Sequence, residues 1–165
     1  MFGFGKRRAA SGDQAKPAAT NQAQREAHVR LLGKVPMFLD LSKRDLDLLA
    51  AACAERDFPA GHVILREGDP GVGLFVIVSG RVRVTQQLGG EPRELGTSGP
   101  GDVFGEMSLL DDLPRSATVT AVEPTRVLVL QGVDFRVALR EDPDIALRLL
   151  AVLSRRLRGV EARQI

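Results

Sequence analysis

The sequence predicts a mainly β fold, a barrel or jelly roll with helices before and after it. Between positions 56 and 131, short β-rich runs recur at regular intervals between glycine- and proline-bearing turns. That rhythm suits an antiparallel barrel better than a parallel sheet with crossover helices. On either side of this stretch the apolar residues change to helical spacing. The length of 165 residues, 44% of them hydrophobic, suits one core with modest appendages.

Taken in order, residues 1–22 read as a basic, disordered tail. Met-Phe-Gly-Phe-Gly-Lys-Arg-Arg is followed by an Ala/Gly/Ser/Gln/Pro mixture without periodicity, which buries too little to offset the entropy of ordering. Phe2 and Phe4 beside the basic cluster would give only marginal adhesion to an anionic membrane. The folded domain is expected over 23–165. A helix over 27–33 ends at Gly33, with Pro36 shortly after. A second, over 42–54, takes Ser42 as N-cap and places Leu46, Leu49, Ala50 and Cys53 on one stripe. Cys53 lies on that stripe, so packing is expected of it rather than redox or nucleophilic chemistry.

The barrel is expected over 56–131, with strands at 56–58, 63–65, 74–79, 81–87, 93–96, 117–122 and 125–131. Gly61, Gly68, Gly71, Gly80, the Gly89-Gly90 pair and Pro124 mark the turns between them. Gly68, Gly71, Gly73 and Gly80 read as turn devices rather than ligand contacts. Arg81-Val82-Arg83-Val84-Thr85 alternates, as a strand with one face in solvent does. After the barrel, Asp134 is a candidate N-cap for a helix over 134–140, and Pro143 opens a longer one that runs to 164. In that last helix Ala146, Leu150, Leu153, Leu157 and Val160 recur at spacings of 4, 3, 4 and 3. This is an a/d seam of about two heptads that suits a second copy, while Ile145, Leu149 and Val152 widen the apolar face toward the chain's own domain.

Composition removes several function classes. Tryptophan and tyrosine are absent and the aromatic content is seven phenylalanines, a poor platform for stacking bases. One cysteine excludes an internal disulfide, and His28 and His62 are too few for a zinc cluster or a cupin metal site. His62 is expected in solvent and His28 outside the barrel. No run approaches the roughly 20 apolar residues of a membrane span, so a cytoplasmic chain is expected. The net charge of +2 divides into +3 for 1–27 and +3 for 144–165, which leaves −4 for 28–143. A DNA-binding face would concentrate positive charge on the folded body instead. No P-loop, Gly-x-Ser-x-Gly or convincing catalytic triad is present, so no enzyme is expected.

The densest chemical signal is Phe104-Gly105-Glu106-Met107-Ser108-Leu109, a short spacer, then Arg115-Ser116-Ala117-Thr118-Val119. It places a carboxylate at the start of a short helix after a glycine, with an arginine and a hydroxyl at the start of a buried strand. Amides at a helix start attract anions, and an arginine fork matches phosphate oxygens. The carboxylate suits a sugar hydroxyl instead. Taken singly, Arg115 also suits a surface ion pair with Asp111 or Asp112, and Glu106 a dipole-favoured helix start. The two at this spacing, with Ser116 adjacent, favour a compact ligand carrying one phosphate and one sugar hydroxyl.

Segment 104–121 resembles the phosphate-binding cassette of cyclic nucleotide-binding domains, the superfamily of catabolite activators and protein kinase A regulatory subunits. Ile64-Leu65-Arg66-Glu67-Gly68-Asp69-Pro70-Gly71-Val72-Gly73-Leu74-Phe75-Val76-Ile77-Val78-Ser79-Gly80 is similar to a second pattern of the family, departing mildly at Leu65. With the flanking helices the likeness covers about 28–160. It implies a jelly roll, or double-stranded β-helix, whose C-terminal helices act as a lid. It implies a ligand site at Gly105, Glu106, Met107, Ser108, Arg115, Ser116 and Ala117, with Arg115 on the cyclic phosphate and Glu106 on the ribose 2′-hydroxyl. Ser116 would serve phosphate or base, and Ser154, Arg155, Arg156 and Arg158 are the lid candidates for the base. The ligand implied is cAMP in preference to cGMP, with no cofactor and no metal. Partners expected are a homodimer through the last helix and a protein effector. The chain is expected to be a sensor without a built-in output or DNA-binding domain. The alternatives are an adaptor module of the same fold, or a transcription-regulator relative lacking its DNA-binding part.

Overall fold

The computed structural model describes residues 22–71, 73–106 and 108–161, with backbone alone at 156, 160 and 161. Residues 1–21 of the tail expected at 1–22, Met107 of the expected ligand site and the last residues of the helix expected to reach 164 lie outside the described residues, while Gln22, expected in the tail, opens the first helix. The chain runs α1 (Gln22–Leu32), a 3-10 turn (Pro36–Phe38) and α2 (Lys43–Ala51). Strands β1 (Ala54–Phe58), β2 (Val63–Leu65), β3 (Gly73–Ser79), β4 (Val82–Leu88), β5 (Glu91–Ser98) and β6 (Val103–Phe104) follow. The short helix α3 (Ser108–Asp111) leads to β7 (Thr118–Ala121) and β8 (Thr125–Gln131), then α4 (Gly132–Glu141) and α5 (Pro143–Glu161).

The strands form two antiparallel four-stranded sheets, in the orders β1-β8-β3-β6 and β2-β7-β4-β5. This is the jelly roll the strand rhythm predicts, with helices at both ends. The first sheet is covered on both faces, and its sequence says so. Along β3, Leu74 and Val76 join the core under the helices, whereas Phe75 and Ile77 join the core between the sheets. On β8, Leu128 and Leu130 face the helices and Val127 the sheets. Successive strand residues point to opposite faces, so a strand buried on both sides reads as an unbroken apolar run. The second sheet has one wet face: Val82 is buried while Arg81 and Arg83 are exposed, as their alternation predicts.

Helix packing closes the first face. Phe38 and Phe135 are fully buried with ring centroids 6.3 Å apart, joining the 3-10 turn to α4. Ser42 caps α2 as expected, through a reciprocal capping box with Asp45. Asp45 is 2% exposed and also receives Arg148 Nη1 of α5 at 2.9 Å. Ile145, Leu149 and Val152 form the buried face of α5, and Leu147, Leu150 and Leu157 stand exposed. No helix among the described residues is long and apolar enough to cross a membrane.

Several boundaries differ from expectation. Helix α1 begins at Gln22, not 27, because Arg25 ion-pairs Asp47 of α2 at 2.7 Å and anchors the extra turn. Helix α2 stops at Ala51, with Ala52 as C-cap, and Cys53 follows it. Asp134 is not an N-cap: β8 passes into α4 without a loop, so Gln131 occupies that position and Asp134 falls in the first turn. The 3-10 turn and β6 carry too few residues to show a period.

Candidate functional site

Arg115 is the centre of the site. Its backbone is fixed first: the Arg115 N–H donates to the Asp69 carbonyl at 2.8 Å, and the Gly68 N–H donates to the Arg115 carbonyl at 2.9 Å. The loop after β2 thereby clamps the residue just before β7 begins. Its side chain turns inward and is 5% exposed. Nη1 donates to Ser108 Oγ at 2.8 Å and to the Gly105 carbonyl at 3.1 Å, and Nη2 donates to the Gly73 carbonyl at 2.9 Å. The guanidinium carbon lies 5.6 Å from the centre of the Phe75 ring, which stacks on Phe104 at 5.1 Å.

Among the described residues this cation has no carboxylate partner. Arg115 takes part in none of the ion pairs among the described residues, and its Nε is buried without a hydrogen-bond partner. Burial pulls its pKa down from the usual guanidinium value, which marks a charge held without compensation. The surface pairs open to it in sequence do not form, since Asp112 receives Arg136 of α4 at 2.6 Å. Buried charges are ordinarily paired. A group that supplies negative charge here would complete the site.

Glycines make the cradle possible. Gly105 has φ +78°, in the left-handed region, and a Cβ there would collide with Arg115 Nη1 and stand 2.9 Å from the Gly73 carbonyl oxygen. At Gly71 a Cβ would collide with the Ser108 side chain and lie 2.9 Å from the Leu113 carbonyl oxygen. Gly71 and Gly73 are thus parts of the site floor, correcting their reading as turn devices.

A cavity of about 320 Å³ opens over this floor, lined by Gly105, Glu106, Ser108, Asp111, Leu113, Pro114, Arg115 and Ser116. Its size falls at the lower end for small-molecule pockets. Glu106 is half-buried, and its carboxylate makes no hydrogen bond or ion pair among the described residues. It also borders a second cavity of about 220 Å³, shared with Lys34, Met37 and Asp102. Ser116 is exposed, and Ala117 is half-buried where the chain enters β7.

The expected residues Gly105, Glu106, Ser108, Arg115 and Ser116 therefore meet around one cavity, with Ala117 next in the chain. Ser108 has a further part, since its hydroxyl accepts from Arg115 and fixes the guanidinium. The lid candidates stand elsewhere: Ser154, Arg155 and Arg158 are exposed on α5, and Arg155 pairs with Asp40. Arg156 belongs to the same helix, its side chain outside the described atoms. Leu113 and Pro114 were missed in sequence, being brought in by the loop itself, and Gly73 was misread because strand pairing alone brings its carbonyl to Arg115. No group of three or more His, Cys, Asp or Glu able to hold a metal occurs among the described residues.

A protein-family model described as the cyclic nucleotide-binding domain matches residues 55–142. The cyclic AMP receptor protein of Thermus thermophilus is 43% identical over 127 residues, covering 76% of this chain and 59% of that protein. The match thus spans less than two thirds of that relative's length. The solved N-terminal domain of a transcriptional regulator from Streptomyces coelicolor matches with a TM-score of 0.74 at 34% identity, over 79% of this chain and 94% of that one. The regulatory domain of Toxoplasma gondii PKA, solved with cAMP, matches with a TM-score of 0.67 at 34% identity, over 72% and 45%.

Proposed function

This chain belongs to the cyclic nucleotide-binding domain family, and from that premise we propose that it is a cyclic-nucleotide receptor which signals without catalysis. The observation that carries the reading is the buried Arg115, held only by carbonyls and a hydroxyl on the floor of a cavity bordered by Glu106. A cyclic phosphate supplies the absent negative charge and two oxygens for the arginine fork. Glu106 accepts from the ribose 2′-hydroxyl, and Ser116 reaches the phosphate or the base. The preference is for cAMP, by analogy with the Thermus receptor and the Toxoplasma domain.

Signalling follows from differential affinity: ligand favours whichever position of α4 and α5 encloses it better. Arg136 on Asp112 links α4 to the loop after α3 and gives cassette movement a direct route to the helices. The exposed Leu147, Leu150 and Leu157 suit contact with a second copy along α5, and a protein effector reads the resulting state. Calorimetric titration with cAMP and cGMP tests the reading. Saturable binding of at least one is expected, tighter for cAMP. A folded protein that binds neither at high micromolar concentration sinks it.

A further inference from the structure

Where β7 begins, the sheet loses its regular rungs. The β4–β7 ladder runs from Val82↔Ala121 to Thr85↔Thr118 and stops there, although β4 continues to Leu88 against β5. Ser116 and Ala117 thus lie just beyond the ladder, at the lip of the ligand cavity. Side chains replace the missing rungs. Gln86 Nε2 donates to the Ser116 carbonyl at 2.9 Å, the Gln87 N–H donates to Glu67 Oε2 at 2.8 Å, and the Glu67 N–H donates to Thr118 Oγ1 at 3.0 Å.

We infer that Gln86 is a positioning residue for the ligand: its amide holds the Ser116 backbone so that the hydroxyl faces the cavity. The inference deepens the receptor reading and rests on it. On the other flank Gly68 and Asp69 fix the peptide groups of Arg115. Gln86 is the one contact found on the Ser116 carbonyl among the described residues, so the direction of the hydroxyl depends on it while Arg115 keeps its own anchors. Removing the amide leaves Arg115 in place and lets Ser116 turn.

The test is a double-mutant cycle read by nucleotide titration. Gln86→Glu keeps the size of the side chain and replaces the donor with an acceptor facing a carbonyl. Gln86→Leu removes the donor without adding charge and guards against a charge effect. Each should weaken cyclic-nucleotide binding by about three- to tenfold, the range of one net hydrogen bond. In a Ser116→Ala background the same substitutions should cost less than about twofold, because the group they position is gone. Equal losses in both backgrounds, or none in either, overturn the inference, since general loosening of the sheet would not depend on the hydroxyl. A wild-type protein that binds neither nucleotide overturns the receptor reading instead. Gln86 is then judged in the ligand-free protein by backbone NMR. Shifts confined to Ser116, Ala117 and their neighbours support its positioning role, and unchanged signals there overturn it.

Discussion

Leu74 and Gly73 are neighbours on β3, yet they serve regions built on opposite terms. Leu74 is fully buried in an apolar core with Val76, Leu128, Leu130, Phe38 and Phe135, where burial of apolar surface favours the folded chain. Gly73 offers its carbonyl to a cation that has no counter-ion among the described residues, beneath a left-handed glycine. Two buried charges draw the same line. Asp45 is satisfied by Ser42 and Arg148, whereas Arg115 retains an unpartnered nitrogen. The helix-covered face secures the fold, and the cassette holds an incomplete electrostatic arrangement that the proposed ligand would finish.

Substitutions in the two regions should therefore separate stability from binding. The largest effect is expected at Phe135→Ala, which removes a fully buried ring from between the 3-10 turn and α4. It should lower unfolding free energy by about 3–5 kcal/mol in urea titration. Next is Arg115→Leu, expected to cost about 2–4 kcal/mol of nucleotide binding, since it strips the partner from a buried charge. The same variant should lower the urea midpoint far less than Phe135→Ala does, because relief of an uncompensated buried charge offsets the lost hydrogen bonds to Ser108, Gly105 and Gly73. A large loss of stability in Arg115→Leu would break the contrast. Asp45→Ala should reverse the pattern, losing about 2 kcal/mol of stability with the capping box and the Arg148 contact, and leaving nucleotide affinity within about twofold.

The same division explains what was legible in the sequence. Glu106 and Arg115 stand close together in the chain and their pairing of chemistries is readable locally. Likewise the strand over 74–79 and Ser42 as the N-cap of α2 were readable locally, whereas the double burial of β3 and the reciprocal bond to Asp45 came only with the structure. Gly73 meets Arg115 across 42 positions and Gln86 meets Ser116 across 30, contacts that exist only once the sheets have paired. That Arg115 forms no ion pair among the described residues was equally hidden, because Asp111 and Asp112 adjoin it in sequence while Asp112 turns to Arg136 in space. The start of α4 was misplaced for a related reason: a strand running straight into a helix leaves no loop for a capping residue to mark.

The smallest effect tests whether charge can also secure the fold at its edge. His28 is 3% exposed in α1, and its Nε2 lies 2.8 Å from Glu55 Oε1 on β1, with Arg126 of β8 3.9 Å from the other carboxylate oxygen. The hydrogen bond from His28, ahead of contributions from Gln24 and Arg126, holds the Glu55 carboxyl below its ordinary value near 4.5. A carboxylate depressed in the folded state contributes stability that is present above its unfolded pKa and lost as pH falls through the folded one. Glu55→Gln, which carries no charge at any pH, should therefore melt below wild type at pH 7, by a degree or so for an interaction of about 0.5 kcal/mol. The two melting curves should converge as the pH is lowered from about 4.5 through the depressed value. A gap that stays constant from neutral to acid pH would assign the contribution to packing between α1 and β1. Convergence would make it an electrostatic clasp, with the opposite pairing logic to that of Arg115.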